Sequence, residues 1–204
     1  MKTKLILNSG GVKRREDLKK QFHQEMVKGL SLKLNILICT FAQGREFWEG
    51  KFPGYSASIK EDLPEYDLSF TLAMPDDFAN QIKDADIIYF NGGDDHLFAY
   101  WMDKFDFSLF NGKVLVTNSA SSDYFSSSCW NIDWKSPVIG SGILPIKFIP
   151  HYEADETIDW LKVEEELRGF GDPELPIYKL KEGEFVVFEV NGKGSSKEIK
   201  LVTR

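Results

Sequence analysis

Ser119 ends the apolar run Lys113-Val114-Leu115-Val116-Thr117 and is followed by small residues, Ala120 and Ser121. A buried strand that stops on a serine before a helix is where a nucleophile elbow would sit, with the hydroxyl held out above the sheet edge. A serine nucleophile needs a base for its proton, a group to orient that base, and N–H donors for the developing oxyanion. His151 follows the strand-like run that ends at Pro150, and is the best-placed base. Asn91-Gly92-Gly93-Asp94-Asp95 follows the apolar strand Ile87-Ile88-Tyr89-Phe90, where glycines permit close backbone approach and free N–H groups. Each feature also has a plainer reading. Ser119 is a good helix N-cap, His151 a hydrogen-bonded structural residue, and the Gly-Gly turn one capped by Asp94 or Asp95. Of the other histidines, His23 is expected on the solvated face of a charged helix, and His96 close to the strand ends.

These residues need a scaffold that brings strand ends together. Strands are expected over Lys4–Asn8, Leu34–Ala42, Asp86–Phe90 and Lys113–Thr117, alternating with helical stretches over Arg15–Leu30, Asp76–Ala85 and Asp95–Phe105. Strands separated by helices imply βαβ units and a largely parallel sheet covered on both faces. Phe47–Leu72 shows no clear pattern, and Pro53-Gly54 and Leu63-Pro64-Glu65 read as breaks. Downstream, Ile143–Tyr152 reads as a strand, Asp155–Arg168 as an amphipathic helix, and Ile177–Val190 and Glu198–Val202 as two strands. The turn Asn191-Gly192-Lys193-Gly194 would join the last two as a hairpin, which offers an edge for a homodimer.

The 204 residues suit one α/β domain over 1–204. A net charge of −7 argues against a nucleic-acid binder, which would carry a basic face. No apolar stretch approaches the roughly 20 residues that span a bilayer, and the apolar part of the N-terminus is too short for a signal peptide. A cytoplasmic location is the expectation. Cys39 sits within an apolar run and is expected in the core, whereas Cys129 follows serines and reads as exposed. The cysteines and histidines lack zinc-ligand spacing, Asp94-Asp95 has no evident third oxygen ligand, and Asn8-Ser9-Gly10-Gly11 lacks G-x-G-x-x-G spacing. No metal or cofactor is expected.

The order of these segments resembles the serine peptidase family that includes aspartyl dipeptidase (peptidase E) and cyanophycinase. That family has a Gly-Gly-Gly-Asn-type loop, a G-x-S-A-G elbow and a strand ending in Pro-His-Phe or Pro-His-Tyr. The corresponding stretches here are Asn91-Gly92-Gly93-Asp94, Thr117-Asn118-Ser119-Ala120-Ser121 and Pro150-His151-Tyr152. Leu180-Lys181-Glu182-Gly183 resembles the family's Leu-Pro-Glu-Gly, and Asn131-Ile132-Asp133 its Asn-Asp pair. The resemblance implies a class I glutamine amidotransferase-like fold and hydrolysis of small peptides. It makes Ser119 the nucleophile, His151 the general base, and Glu182 the orienting carboxylate with Asp133 as competitor. Gly93 and Ala120 would supply the oxyanion N–H groups. Thr117 and Ser121 replace both elbow glycines, and Ile158 stands where aspartyl dipeptidases carry the arginine that pairs the substrate's aspartyl carboxylate. Aspartyl specificity is therefore not implied. Two other readings stand beside this one: a non-catalytic relative that keeps a ligand pocket, and an amidotransferase-like enzyme, which would need a cysteine at the elbow.

Overall fold

The apolar runs at both ends of the first βαβ unit have too few polar residues to face water, so they seek the sheet centre. A computed structural model, which describes residues 2–191 and 196–203, shows this arrangement. In chain order the elements are β1 (Thr3–Asn8), α1 (Glu16–Val27), β2 (Lys33–Cys39), α2 (Trp48–Asp62), β3 (Asp67–Leu72), α3 (Phe78–Asp84), β4 (Ile87–Phe90) and α4 (Asp95–Met102). They continue with β5 (Val114–Asn118), α5 (Ala120–Phe125), β6 (Ser128–Asn131), β7 (Ser136–Ile139), β8 (Lys147–Ile149), α6 (Trp160–Gly169), β9 (Ile177–Lys179), β10 (Phe185–Val190) and β11 (Ser196–Val202).

The main sheet runs β11-β10-β1-β5-β4-β2-β3 among the described residues. Its β1, β5, β4, β2 and β3 are parallel, and β10 and β11 add an antiparallel edge. Alternate residues of each strand serve opposite cores. Leu5, Leu7, Leu37, Ile88 and Leu115 face one side with Phe78, Phe98 and Phe125 from α3, α4 and α5. Ile6, Ile36, Ile38, Ile87 and Val116 face the other, under Phe22 and Met26 of α1 and Ile59 of α2. The mixed α/β class with a mostly parallel sheet is therefore as expected.

A smaller sheet, ordered β7-β6-β8-β9, packs against α6 through Trp130, Ile149, Val163 and Leu167. Lys147 on β8 is buried, and its Nζ donates to the carbonyls of Leu167, Arg168 and Phe170 at 2.8 Å each. A cation on the carbonyls around a helix C-terminus is a favourable cap, and here it ties α6 to β8.

Several elements differ from their sequence expectation. The unpatterned Phe47–Leu72 stretch is α2 followed by β3. Pro53 lies inside α2 and leaves only Trp48 and Ile59 fully buried there, so the apolar stripe is too narrow to register as a helical period. Packing of Phe52, Tyr55 and Ile59 on the sheet overrides the proline's local penalty, roughly 3 kcal/mol for a helix interior. The Ile177–Val190 run is two strands in different sheets, because the chain turns at Leu180–Gly183 and Gly183 has φ +82°. Within Ile143–Tyr152 only Lys147–Ile149 is strand, and His151 sits in the turn beyond with φ +50°. The expected Asn191–Gly194 turn falls on residues outside the described ones from Gly192 onward. The strands it would join pair antiparallel.

Two side-chain expectations are corrected as well. His23 is 2% exposed and its Nδ1 lies 2.6 Å from Asp62 at the end of α2. A helix not foreseen in the sequence supplies that partner. Cys129 is 1% exposed on β6, because the serines before it turn the chain into the second sheet rather than into solvent.

Candidate active site

The parallel register sets β1 beside β5, with Asn8 opposite Asn118, so the two chains leave the sheet side by side. Ser119 follows at φ +47°, ψ −116°, a conformation that costs a non-glycine residue roughly 1–3 kcal/mol. The turn is held by hydrogen bonds where glycines would have relaxed it. Ser119 N–H donates to the Asn8 carbonyl at 3.0 Å, and the Asn118 N–H to Ser121 Oγ at 2.8 Å. Thr117 Oγ1 donates to the Ile6 carbonyl at 3.0 Å, and Ser122 Oγ to the Asn8 carbonyl at 2.8 Å. The two residues that replace the elbow glycines, Thr117 and Ser121, are thus among those that brace it.

Ser119 occupies the N-cap position of α5, yet its side chain makes no capping bond. Its Oγ lies 3.0 Å from His151 Nε2. Proximity of that kind is what a serine–histidine pair requires. The backbone of His151 is anchored to the first strand's exit, since its N–H donates to Ser9 Oγ at 2.7 Å and Ser9 Oγ donates to the Leu180 carbonyl at 2.8 Å. On the far side of the ring, Nδ1 lies 3.5 Å from Glu182 Oε1. Glu182 sits in the turn where the chain crosses from the small sheet to the large one, fixed by the Gly183 N–H on the Gly10 carbonyl at 2.8 Å. Burial lowers the proton affinity of His151 below the ordinary imidazole value, and Glu182 opposes that shift only in part. A neutral imidazole at neutral pH is the form that accepts a proton.

Asp133 lies exposed in the turn between β6 and β7, and among the described contacts no hydrogen bond or ion pair joins it to His151. Its charge reaches the ring only through space. Gly93 has φ +152°, and a Cβ there would stand 2.1 Å from the Ala42 carbonyl oxygen. The Gly92–Gly93 loop lies against the serine, with a built Cβ on Gly92 falling 3.3 Å from Ser119 Cβ. Ala120 opens α5, where N–H groups have no intrahelical acceptor. Asp94 caps α4 by accepting the Leu97 N–H at 2.8 Å, as the plain reading of that turn has it. A cavity of about 330 Å³ opens here, lined by Ser119, His151 and Glu182 together with Gln43, Tyr55 and Tyr89.

Asn8-Ser9-Gly10-Gly11, set aside in the sequence as a poor dinucleotide motif, forms the floor of the site. A Cβ on Gly10 would fall 2.7 Å from His151 Cε1, and one on Gly11 would fall 2.7 Å from Glu182 Cδ. The available signal was a Gly-Gly pair at the exit of an apolar strand, as at Gly92-Gly93. Arg14, in the 3₁₀ turn Val12–Arg14, was also missed, and its Nη1 donates to Glu182 Oε1 at 2.9 Å.

Neither cysteine shares the site. Cys39 and Cys129 are both buried, and burial pushes both thiols up, Cys129 further through the carboxylates of Asp123 and Asp95. Iodoacetamide should leave the native protein unmodified, because the thiolate is the reactive form. Alkylation at the rate of a free thiol would contradict this.

The mixed α/β fold, with its mostly parallel sheet flanked by helices, matches that of peptidase E-like structures. Two crystal structures share it over nearly the whole chain. One is a peptidase from an acI-B1 Actinobacterium, at TM-score 0.59 and 20% identity, covering 98% of this chain and 94% of the other. The second is a candidate peptidase E from Listeria monocytogenes EGD-e, at TM-score 0.63 and 14% identity, covering 98% and 100%. At these identities the likeness is one of fold. No protein-family model and no curated protein sequence matches the chain. Among the described residues no helix is long and apolar enough to cross a membrane.

Proposed function

We propose that the protein is a serine peptidase of the peptidase E type that hydrolyses small peptides through Ser119, His151 and Glu182. The observation that carries this reading is the 3.0 Å approach of Ser119 Oγ to His151 Nε2 by a serine at a helix N-cap that does not cap. Ser119 Oγ attacks the scissile carbonyl carbon while His151 Nε2 takes its proton. The Gly93 and Ala120 N–H groups receive the oxyanion, and Glu182 steadies the imidazolium through Nδ1. Collapse breaks the C–N bond, and His151 returns the proton to the leaving amine. A water then attacks the acyl-serine by the same route, releasing the acid and restoring Ser119.

The size of the cavity supports a short peptide as substrate rather than a folded protein. Ile158 packs beside Trp130 and Val163, away from the residues that line the cavity at Ser119, so the aspartyl dipeptidases' arginine has no counterpart at that position. A fluorophosphonate should add once to the wild-type chain, by intact mass, and not at all to Ser119→Ala or His151→Ala. A wild-type protein that stays unlabelled while folded would sink the proposal.

A further inference from the structure

One carboxylate oxygen at the site serves two partners. Glu182 Oε1 accepts from Arg14 Nη1 at 2.9 Å and stands 3.5 Å from His151 Nδ1, beyond the range of a good N–H···O bond. The ordinary arrangement of such a triad gives that carboxylate to the imidazole. Here the guanidinium has the shorter contact. The backbone of Glu182 is fixed, so its distance from the ring is set by which way its carboxylate turns. Arg15 Nη1 donates to the Glu182 carbonyl at 3.3 Å, the next N–H is held by Gly10, and Gly11 presses on the side chain so closely that no Cβ would fit. Arg14 comes from the turn that directly follows β1, the strand whose exit also anchors His151 through Ser9.

We infer that Arg14 is a positioning residue of this site: it pins the Glu182 carboxylate and so sets the pH range over which His151 can take a proton from Ser119. The inference rests on the peptidase reading for its purpose, but the geometry is independent of it. Among the described residues three charged groups act on the His151 ring: Glu182 from the β9–β10 turn, Arg14 from the β1–α1 turn, and Asp133 from the β6–β7 turn. Glu182 and Asp133 favour the protonated ring, whereas Arg14 opposes it. Arg14 therefore acts twice in one direction, by its own charge and by holding Glu182 off Nδ1. The result is a base that stays deprotonated at lower pH, at the cost of some proton affinity. Because the Arg14 side chain is 76% exposed, solvent screens its direct charge, and the hold on Glu182 is the larger part.

The test is an NMR titration of the His151 imidazole in the whole protein, assigned with His151→Gln, comparing wild type with Arg14→Gln and Arg14→Lys. Removing the cation lets Glu182 turn to Nδ1, so the Arg14→Gln midpoint should move to higher pH. Arg14→Lys, which keeps the charge, should stay nearer the wild type. An Arg14→Gln curve that overlays the wild type, or moves to lower pH, overturns the inference. The titration needs no substrate or turnover, so it reads Arg14 even if fluorophosphonate labelling fails and the peptidase reading falls. If both hold, the acid limb of Ser119 labelling shifts upward in Arg14→Gln in step with the titration.

Discussion

Ser119→Ala is expected to lower kcat/KM for any peptide the wild type hydrolyses by about 10⁴-fold or more, with the melting temperature almost unchanged. The rate effect is large because alanine removes the atom that forms the acyl bond, a loss of about 5 kcal/mol or more in transition-state stabilisation. What activity remains would come from the N–H donors and from binding. The stability effect is small because Ser119 Oγ supports nothing else. It does not cap α5, and the bonds that brace the elbow come from the Ser119 backbone and from Thr117, Ser121 and Ser122. The strained φ of 47° is retained in the variant, since alanine carries the same Cβ. Steady-state kinetics on a dipeptide panel, with circular dichroism as the check on folding, decides the matter. A loss smaller than tenfold would mean the reaction takes place elsewhere.

Gly10→Ala should be strongly damaging although the position takes no chemical part. Gly10 has φ +98°, and its added methyl would fall 2.7 Å from His151 Cε1, 2.9 Å from Nε2 and 3.0 Å from Ser119 Cβ. Something must yield, and the imidazole is the nearest group. Displacing it by even an ångström from Ser119 Oγ should cost on the order of 10² in kcat/KM. Overpacking adds roughly 1–3 kcal/mol and the left-handed backbone about 1–2 kcal/mol more, which together lower the melting temperature by about 10 °C. Gly54→Ala is the matched control. Gly54 lies exposed in α2 with nothing within 4 Å of a built Cβ, so the same change should leave activity intact and stabilise the helix by up to about 1 kcal/mol. If Gly10→Ala retains full activity, the site does not pack around His151 as described.

Local sequence carried the frame of this protein. Runs such as Leu5-Ile6-Leu7 and Ile87-Ile88-Tyr89-Phe90 lack polar alternation, and only strands buried on both faces by helices accommodate that. The serine, the histidine and the glycine pair were legible because each closes or follows such a run. The strand β3 was legible in principle, since Leu68, Phe70 and Leu72 alternate with polar residues. It was hidden by the breaks that precede it. The helix α2 was not, because a helix with a proline inside and few buried residues is stabilised by the sheet it lies on rather than by its own pattern.

Tertiary structure alone decided the rest. Ser9, Gly10, Gly11 and Arg14 are more than 100 residues from Ser119 in sequence, and they meet the site only because β1 takes its place beside β5. Which of Glu182 and Asp133 stands nearer His151 was likewise open in the sequence, where both are carboxylates at plausible stations. The chain's crossing between two sheets sets Glu182 at 3.5 Å from the ring and leaves Asp133 in solvent. Periodicity records which residues are buried, since burial follows from each residue's own water-to-core transfer. Which groups face one another depends on strand order and on where the chain changes sheets, and those are properties of the whole packed chain.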